Sequence, residues 1–173
     1  ARLPEELMPP TPKKLWQQRK LFRRLTKVGI KRKGSGLGRI ASPPKLTRLP
    51  AMRTWKRDGG PFLTLPLVYT EHPETGGHNL GMYRVQIYDD CTTGLHMQIG
   101  KGGGFHLGEA MKLGRPLPVN IHLGGPPAAI LGAIAPLPEN VPELMLTSLA
   151  LGTKLRMAES GAGPLPVIAD SEF

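Results

Sequence analysis

Glycine or proline interrupts this chain at such short intervals that its regular elements must be brief. With 22 glycines and 19 prolines in 173 residues, nearly a quarter of the positions punctuate or break secondary structure. That spacing favours short strands, turns and short helices over a helical bundle. The apolar patterning between the breaks gives several strands and three short helices out of regular βαβ alternation. The expected class is therefore a mixed, mainly antiparallel, barrel-like α+β domain. No apolar run approaches the roughly 18 residues that a membrane helix needs, and the start of the chain lacks the order of a signal peptide.

Charge divides the chain in two. The net charge is +10, yet residues 1–57 hold 17 Lys/Arg against Glu5 and Glu6, while residues 58–173 hold 6 Lys/Arg against 11 acids. The basic character belongs to an N-terminal arm and the remainder is mildly acidic. Thr11-Pro12 makes a good helix start, with a capping hydroxyl and proline at the first helical position. Leu15, Phe22, Leu25 and Val28 recur at helical spacing, and Gly29 is a natural stop. The plainest reading is a helix docked by its apolar stripe, its basic face in solvent; an RNA- or membrane-contacting arm is the alternative. Residues 30–50 read as a linker, so the chain divides at 1–45 (basic helix and Gly/Pro-rich linker) and 46–173 (folded body). Gly34, Gly36 and Gly38 brush against a dinucleotide fingerprint, but no apolar strand precedes them. Cys91 is the only cysteine, which excludes an internal disulfide and suits a reducing cytoplasm.

The body opens on the turn Asp58-Gly59-Gly60-Pro61. Leu63, Leu65, Leu67 and Tyr69 then alternate as in a strand, and Pro66 places that strand at an edge or a bulge. Tyr83, Val85 and Ile87 mark the core side of the next strand, with Met82, Arg84, Gln86 and Tyr88 opposite. Residues 91–100 return as a third strand. Short helices follow at 105–114, from Pro126-Pro127, and over 142–152, with strands at 116–125 and in the two segments beyond 154. The last strand stops at Phe173 without turn or cap, and the chain is expected to be a piece of a longer polypeptide.

The segment His78–Gly104 concentrates the groups that can do chemistry. Gly100-Lys101-Gly102-Gly103-Gly104 can offer successive N–H groups and an ammonium to an anion, although a plain flexible loop explains it as well. Arg84 sits mid-strand; its five donors suit a carboxylate or phosphate, and an enclosed arginine needs an acidic partner. Asn79 has the opposite strand parity to Arg84, so the two serve one site only if Gly81 kinks or ends the strand. Asn79 and Glu143 are hard oxygen donors of the kind that hold Mg²⁺ or Mn²⁺. Their separation demands no such site, and Glu143 at a helix start is otherwise a favourable dipole partner. The five histidines lack the spacing of a zinc site.

The blocks LTRLPAMRTWKRDGGPFLTLPLVYT, NLGMYR, LHMQIGKGG, GRPLPVNIHLGGPPAAILGAIAPLP and PELMLTSLALGTK, in that order, resemble the UbiD-type prenylated-FMN decarboxylases over Leu46 to Phe173. The resemblance implies a flavin-reductase-like split β-barrel holding prenylated FMN. It matches Asn79 and Glu143 to ligands of a divalent metal, Mn²⁺ or Mg²⁺, that bridges the cofactor phosphate. Met82, Tyr83 and Arg84 match one cofactor-contacting strand, His96, Met97 and Gln98 a second, and Lys101 with Gly102 the phosphate-side loop. Arg84 also matches the arginine of the family's catalytic network, and carbonyls around Gly132 to Ala135 match a potassium site. The implied reaction is reversible, non-oxidative decarboxylation of an aromatic or α,β-unsaturated acid, in quinone biosynthesis and most similar to the menaquinone branch. A flavin prenyltransferase would supply the cofactor, and a homo-oligomer is expected. In this family the proton-donating acid comes later than the residues matched here, so the chain is expected to bind cofactor without turning over. A basic RNA-binding protein and a plain FMN-binding domain are the competing readings; an aromatic content of 5% offers the first no stacking platform.

Overall fold

The computed structural model describes residues 11–17, 19–34, 40–98, 100, 102–137 and 141–173. Two short basic helices, α1 (Pro12–Gln17) and α2 (Arg19–Leu25), lead into strand β1 (Ile30–Lys33). The body then runs β2 (Phe62–Leu63), β3 (Leu67–Glu71), β4 (His78–Met82), β5 (Val85–Ile87) and β6 (Thr93–Leu95). Helix α3 (Gly102–Lys112), strand β7 (Asn120–His122) and the helices α4 (Pro127–Ile134) and α5 (Glu143–Leu151) follow, and β8 (Leu155–Ala158) and β9 (Val167–Ile168) complete it. The α+β class holds. The strands form three separate three-stranded sheets, ordered β1-β8-β9, β2-β5-β6 and β4-β3-β7, and no closed barrel forms among the described residues. All pairings are antiparallel except β1 with β8.

Three readings from the sequence need correction. The strand expected through Pro66 is two strands: β2 ends at Leu63, and β3 begins at Leu67 as the middle strand of its sheet. Proline lacks the ladder N–H, and here it lies just outside the ladder instead of at an edge. Ile30–Lys33, read as linker, is a strand paired in parallel with Leu155–Ala158. Its Ile-Lys-Arg-Lys sequence has the composition of a solvated segment because one side of this sheet edge faces water. Finally, the apolar stripe expected to dock the N-terminal helix is exposed at Phe22 and Leu25 and half-buried at Val28. The arm joins the body at β1, and just before it the Gly29 N–H donates to Ser148 Oγ at 2.8 Å.

The core lies between the central sheet and the α4–α5 pair. Leu67, Tyr69 and Leu80 pack with Leu144, Leu155 and Met157 in one cluster, while Leu63, Val85 and Ile87 form a second. Helices α4 and α5 approach closely because Gly132 has no side chain: a Cβ there would overlap Thr147 Oγ1 and lie 3.0 Å from the Glu143 carbonyl oxygen. Thr147 Oγ1 instead donates to that carbonyl at 2.9 Å. At the far end of α5, Gly152 caps the helix in the left-handed conformation (φ +66).

His122 ties three strands together. Its Nδ1 lies 3.3 Å from the Leu67 carbonyl oxygen and its Nε2 accepts the Ile168 N–H at 3.1 Å. Since Nε2 must accept, the ring is neutral and carries its proton on Nδ1. Burial pushes the His122 imidazole below its usual 6.5, the hydrogen bond to Leu67 opposing this in part. A histidine whose folded value is depressed adds stability that is complete above about pH 6.5 and is lost as pH falls through the folded value. Thermal melts are therefore expected to show a midpoint that declines below pH 6.5, with a shallower decline in His122→Asn. His106, also pushed down by burial, adds a slope of the same sign that the substitution leaves in place.

Candidate active site

One cleft of about 1350 Å³ runs along the end of β4, the β4–β5 junction, the start of α3 and the loop between α4 and α5. It gathers the residues singled out in the sequence from segments far apart along the chain. Asn79, Met82, Tyr83 and Arg84 line it, with His96, Gln98, Gly102 and Glu143. Of the region matched to a potassium site, Gly132 to Ala135, the last three residues line it too and Gly132 does not. Met97 is half-buried and does not line the cleft. Lys101 lies outside the described residues.

The chain reverses parity between Asn79 and Arg84 as the spacing required. Strand β4 ends at Met82, one residue after Gly81, and β5 restarts at Val85 in a different sheet. Gly81 permits the break because the Tyr83 ring folds back over it: a Cβ at Gly81 would sit 2.5 Å from that ring. The Tyr83 hydroxyl then accepts the Gly103 N–H at 3.3 Å, joining the junction to the first turn of α3.

Asn79 is 7% exposed, and its Nδ2 is a buried side-chain atom without a hydrogen-bond partner. A buried amide end left unpaired costs on the order of 1–3 kcal/mol, so its position in the cleft calls for a ligand group. Turning the amide over presents Oδ1 in the same place. Gly102 makes room for this side chain, since a Cβ there would overlap the Asn79 amide. Glu143 opens α5, where a carboxylate is favoured by the helix dipole. Its Oε2 accepts the Leu80 N–H at 3.4 Å, which holds the carboxylate beside the Asn79 strand. An amide oxygen and a carboxylate are a hard donor pair suited to Mg²⁺ or Mn²⁺. Among the described residues there is no cluster of three or more His, Cys, Asp or Glu that could hold a metal.

Arg84 lines the same cleft. Its guanidinium lies 4.1 Å over the Phe62 ring, and Nη1 is 3.6 Å from Asp58 Oδ1. Asp58 is the acidic partner that an arginine at this position calls for, and sequence reading missed it by treating Asp58-Gly59 only as a turn. The buried His106 was missed as well. Its Nδ1 lies 2.9 Å from Thr70 Oγ1, and its ring sits edge-on to His72. Strand register alone could have found Thr70, which pairs with Asn79 across β3 and β4.

A family model described as UbiD, the 3-octaprenyl-4-hydroxybenzoate carboxy-lyase Rift-related domain, matches residues 36–173. The chain belongs to the UbiD family. A Chlamydia pneumoniae protein, by name one of the subunits of a 4-hydroxybenzoate decarboxylase, is 46% identical over 173 residues, covering 96% of this chain and 29% of the relative. An uncharacterised protein of Chlamydia trachomatis is 47% identical over 169 residues, again covering 29% of that protein. This chain thus spans under a third of the curated relatives it matches. Among solved structures, an evolved dimeric form of the UbiD-class enzyme HmfF from Pelotomaculum thermopropionicum, in complex with prFMN, superposes with a TM-score of 0.78. That match is 22% identical and covers 92% of this chain and 39% of the other. The closed form of the vanillic acid decarboxylase of Sedimentibacter hydroxybenzoicus gives a TM-score of 0.74 at 25% identity, covering 95% of this chain and 37% of that one. UbiD-family relatives are carboxy-lyases, and the fold here is theirs.

Proposed function

We propose that this chain is the cofactor-binding portion of a decarboxylase that uses prenylated FMN to remove CO₂, reversibly and without oxidation, from an aromatic or α,β-unsaturated acid. The observation that carries the reading is the convergence of Asn79, Arg84 and Glu143 on one cleft, with the Asn79 amide buried and unpartnered. Asn79 and Glu143 would hold a divalent cation, Mn²⁺ or Mg²⁺, against the cofactor phosphate, and carbonyls near Gly132 to Ala135 would hold K⁺. Met82, Tyr83, His96, Met97 and Gln98 would contact the flavin, with Lys101 and Gly102 on the phosphate side. A split-barrel arrangement of the three sheets belongs to the same reading. When bound, prenylated FMN supplies the electron sink for the carbon that loses CO₂.

The chain's own residues bind and orient. Arg84 directs a planar fork at the substrate carboxylate and fixes its position before bond cleavage. Its charge also favours the carboxylate form of acids brought beside it. No acid here matches the family's proton donor, so these residues alone would hold cofactor without turnover. A place in quinone biosynthesis, in the menaquinone branch, belongs to the same reading, with a prenyltransferase as cofactor supplier and a homo-oligomer, while the lone Cys91 suits a cytoplasmic setting. Among the described residues no helix is long and apolar enough to cross a membrane.

The test is the absorption spectrum and mass of the ligand extracted after co-expression with a flavin prenyltransferase. A modified FMN is the expected result. Plain FMN alone would reduce the chain to an FMN-binding domain. No flavin, together with salt-sensitive retention of RNA, would favour the basic arm as a nucleic-acid contact.

A further inference from the structure

Arg84 is half exposed, yet it is held on two sides. The Phe62 ring supports one face of its guanidinium at 4.1 Å, and Asp58 meets Nη1 at 3.6 Å with its own side chain only 10% exposed. Asp58 is itself anchored, for its Oδ2 accepts the Trp55 N–H at 2.9 Å. The Gly59-Gly60 turn behind it packs on Gln86, where a Cβ at either glycine would come within 3.1 Å of the amide nitrogen. The contact between Arg84 and Asp58 is a single long one, unlike the two parallel bonds of a fork-to-fork pair. An arginine has five donors in a rigid plane, so the ring and this contact together orient the plane and leave a second edge for a ligand.

We propose that Asp58 is a positioning residue for Arg84: it pins the guanidinium flat on Phe62 so that the free edge faces the cleft and selects planar carboxylates over other anions. This rests on the reading of Arg84 as the substrate's anion hook. A merely compensating charge would act differently. Removing it would raise affinity for every anion alike, because the local field becomes more positive, whereas removing a positioning group costs the preference for a planar partner.

The test uses the full chain without cofactor. The Arg84 Nε–H resonance is assigned by its disappearance in Arg84→Gln, then followed while benzoate or chloride is titrated. Asp58→Asn keeps an acceptor for the Trp55 N–H and removes the charge. It is expected to broaden the Arg84 signal and to lower the benzoate-over-chloride preference about tenfold, a change of roughly 1.4 kcal/mol in relative binding. If Asp58→Asn does not fold, Asp58→Glu serves, since one added methylene must shift the Arg84 resonance. An unchanged signal and preference would overturn the proposal. Equal benzoate binding by the wild type and Arg84→Gln would instead remove Arg84 as the hook, which is a failure of the functional reading and is seen separately from any change at Asp58.

Discussion

Glu143→Ala is expected to lose metal and flavin together. On the proposed reading, replacing the carboxylate removes one of the two side chains that would hold the cation, and outer-sphere changes alone typically cost 10–100-fold in metal affinity. Loss of a direct ligand should exceed about 100-fold, leaving metal content at background and FMN bound correspondingly weakly. The fold should survive. Only the Leu80 N–H loses a side-chain acceptor, and a helix-terminal charge contributes about 0.3–1 kcal/mol. Metal analysis and flavin absorbance on the same purified sample decide the matter; full occupancy of both in the variant would show that the cation is held elsewhere.

Gly132→Ala should give the largest loss of stability from the smallest change of side chain. The added methyl group would overlap Thr147 Oγ1 and press on the Glu143 carbonyl, forcing α4 and α5 apart over Leu144, which is fully buried. Overpacking of this kind costs about 1–3 kcal/mol, a fall in midpoint of roughly 2–4 °C per kcal/mol for a chain of this size. The first turn of α5 would shift as well, so cofactor retention should drop with stability. A melt within a degree of the wild type would mean that the helix pair has slack at this contact.

Much of this architecture is legible in the sequence because its punctuation is local chemistry. Gly114 and Gly152 stop helices where their positive φ angles (+63 and +66) require, and proline opens α4 and stands just before α5. The buried face of Val85 and Ile87 follows from a period of two. What the pattern could not supply was partition among sheets. Two apolar stretches alternating on either side of Tyr83-Arg84 look like one strand, and the break between Met82 and Val85 that puts them in different sheets carries no signal in a period of two. The same limit hides long-range partners. Asn79 and Glu143 are matched by resemblance to the UbiD family, but their proximity depends on α5 packing against β4. Asp58 could not be chosen from among 13 acids until the turn that carries it was placed beside Arg84. The Ile30–Lys33 strand was hidden for a related reason, since its charge matches that of a solvated tail.

That strand lies at the open side of its sheet, with β8 on one flank and no partner on the other among the described residues. A bare row of backbone donors and acceptors is a template on which a neighbouring molecule can add a strand, and lysine along such a row is a common deterrent. Lys31 and Arg32 are exposed there, so some of the positive charge that first suggests a polyanion partner also guards the protein against aggregating with itself.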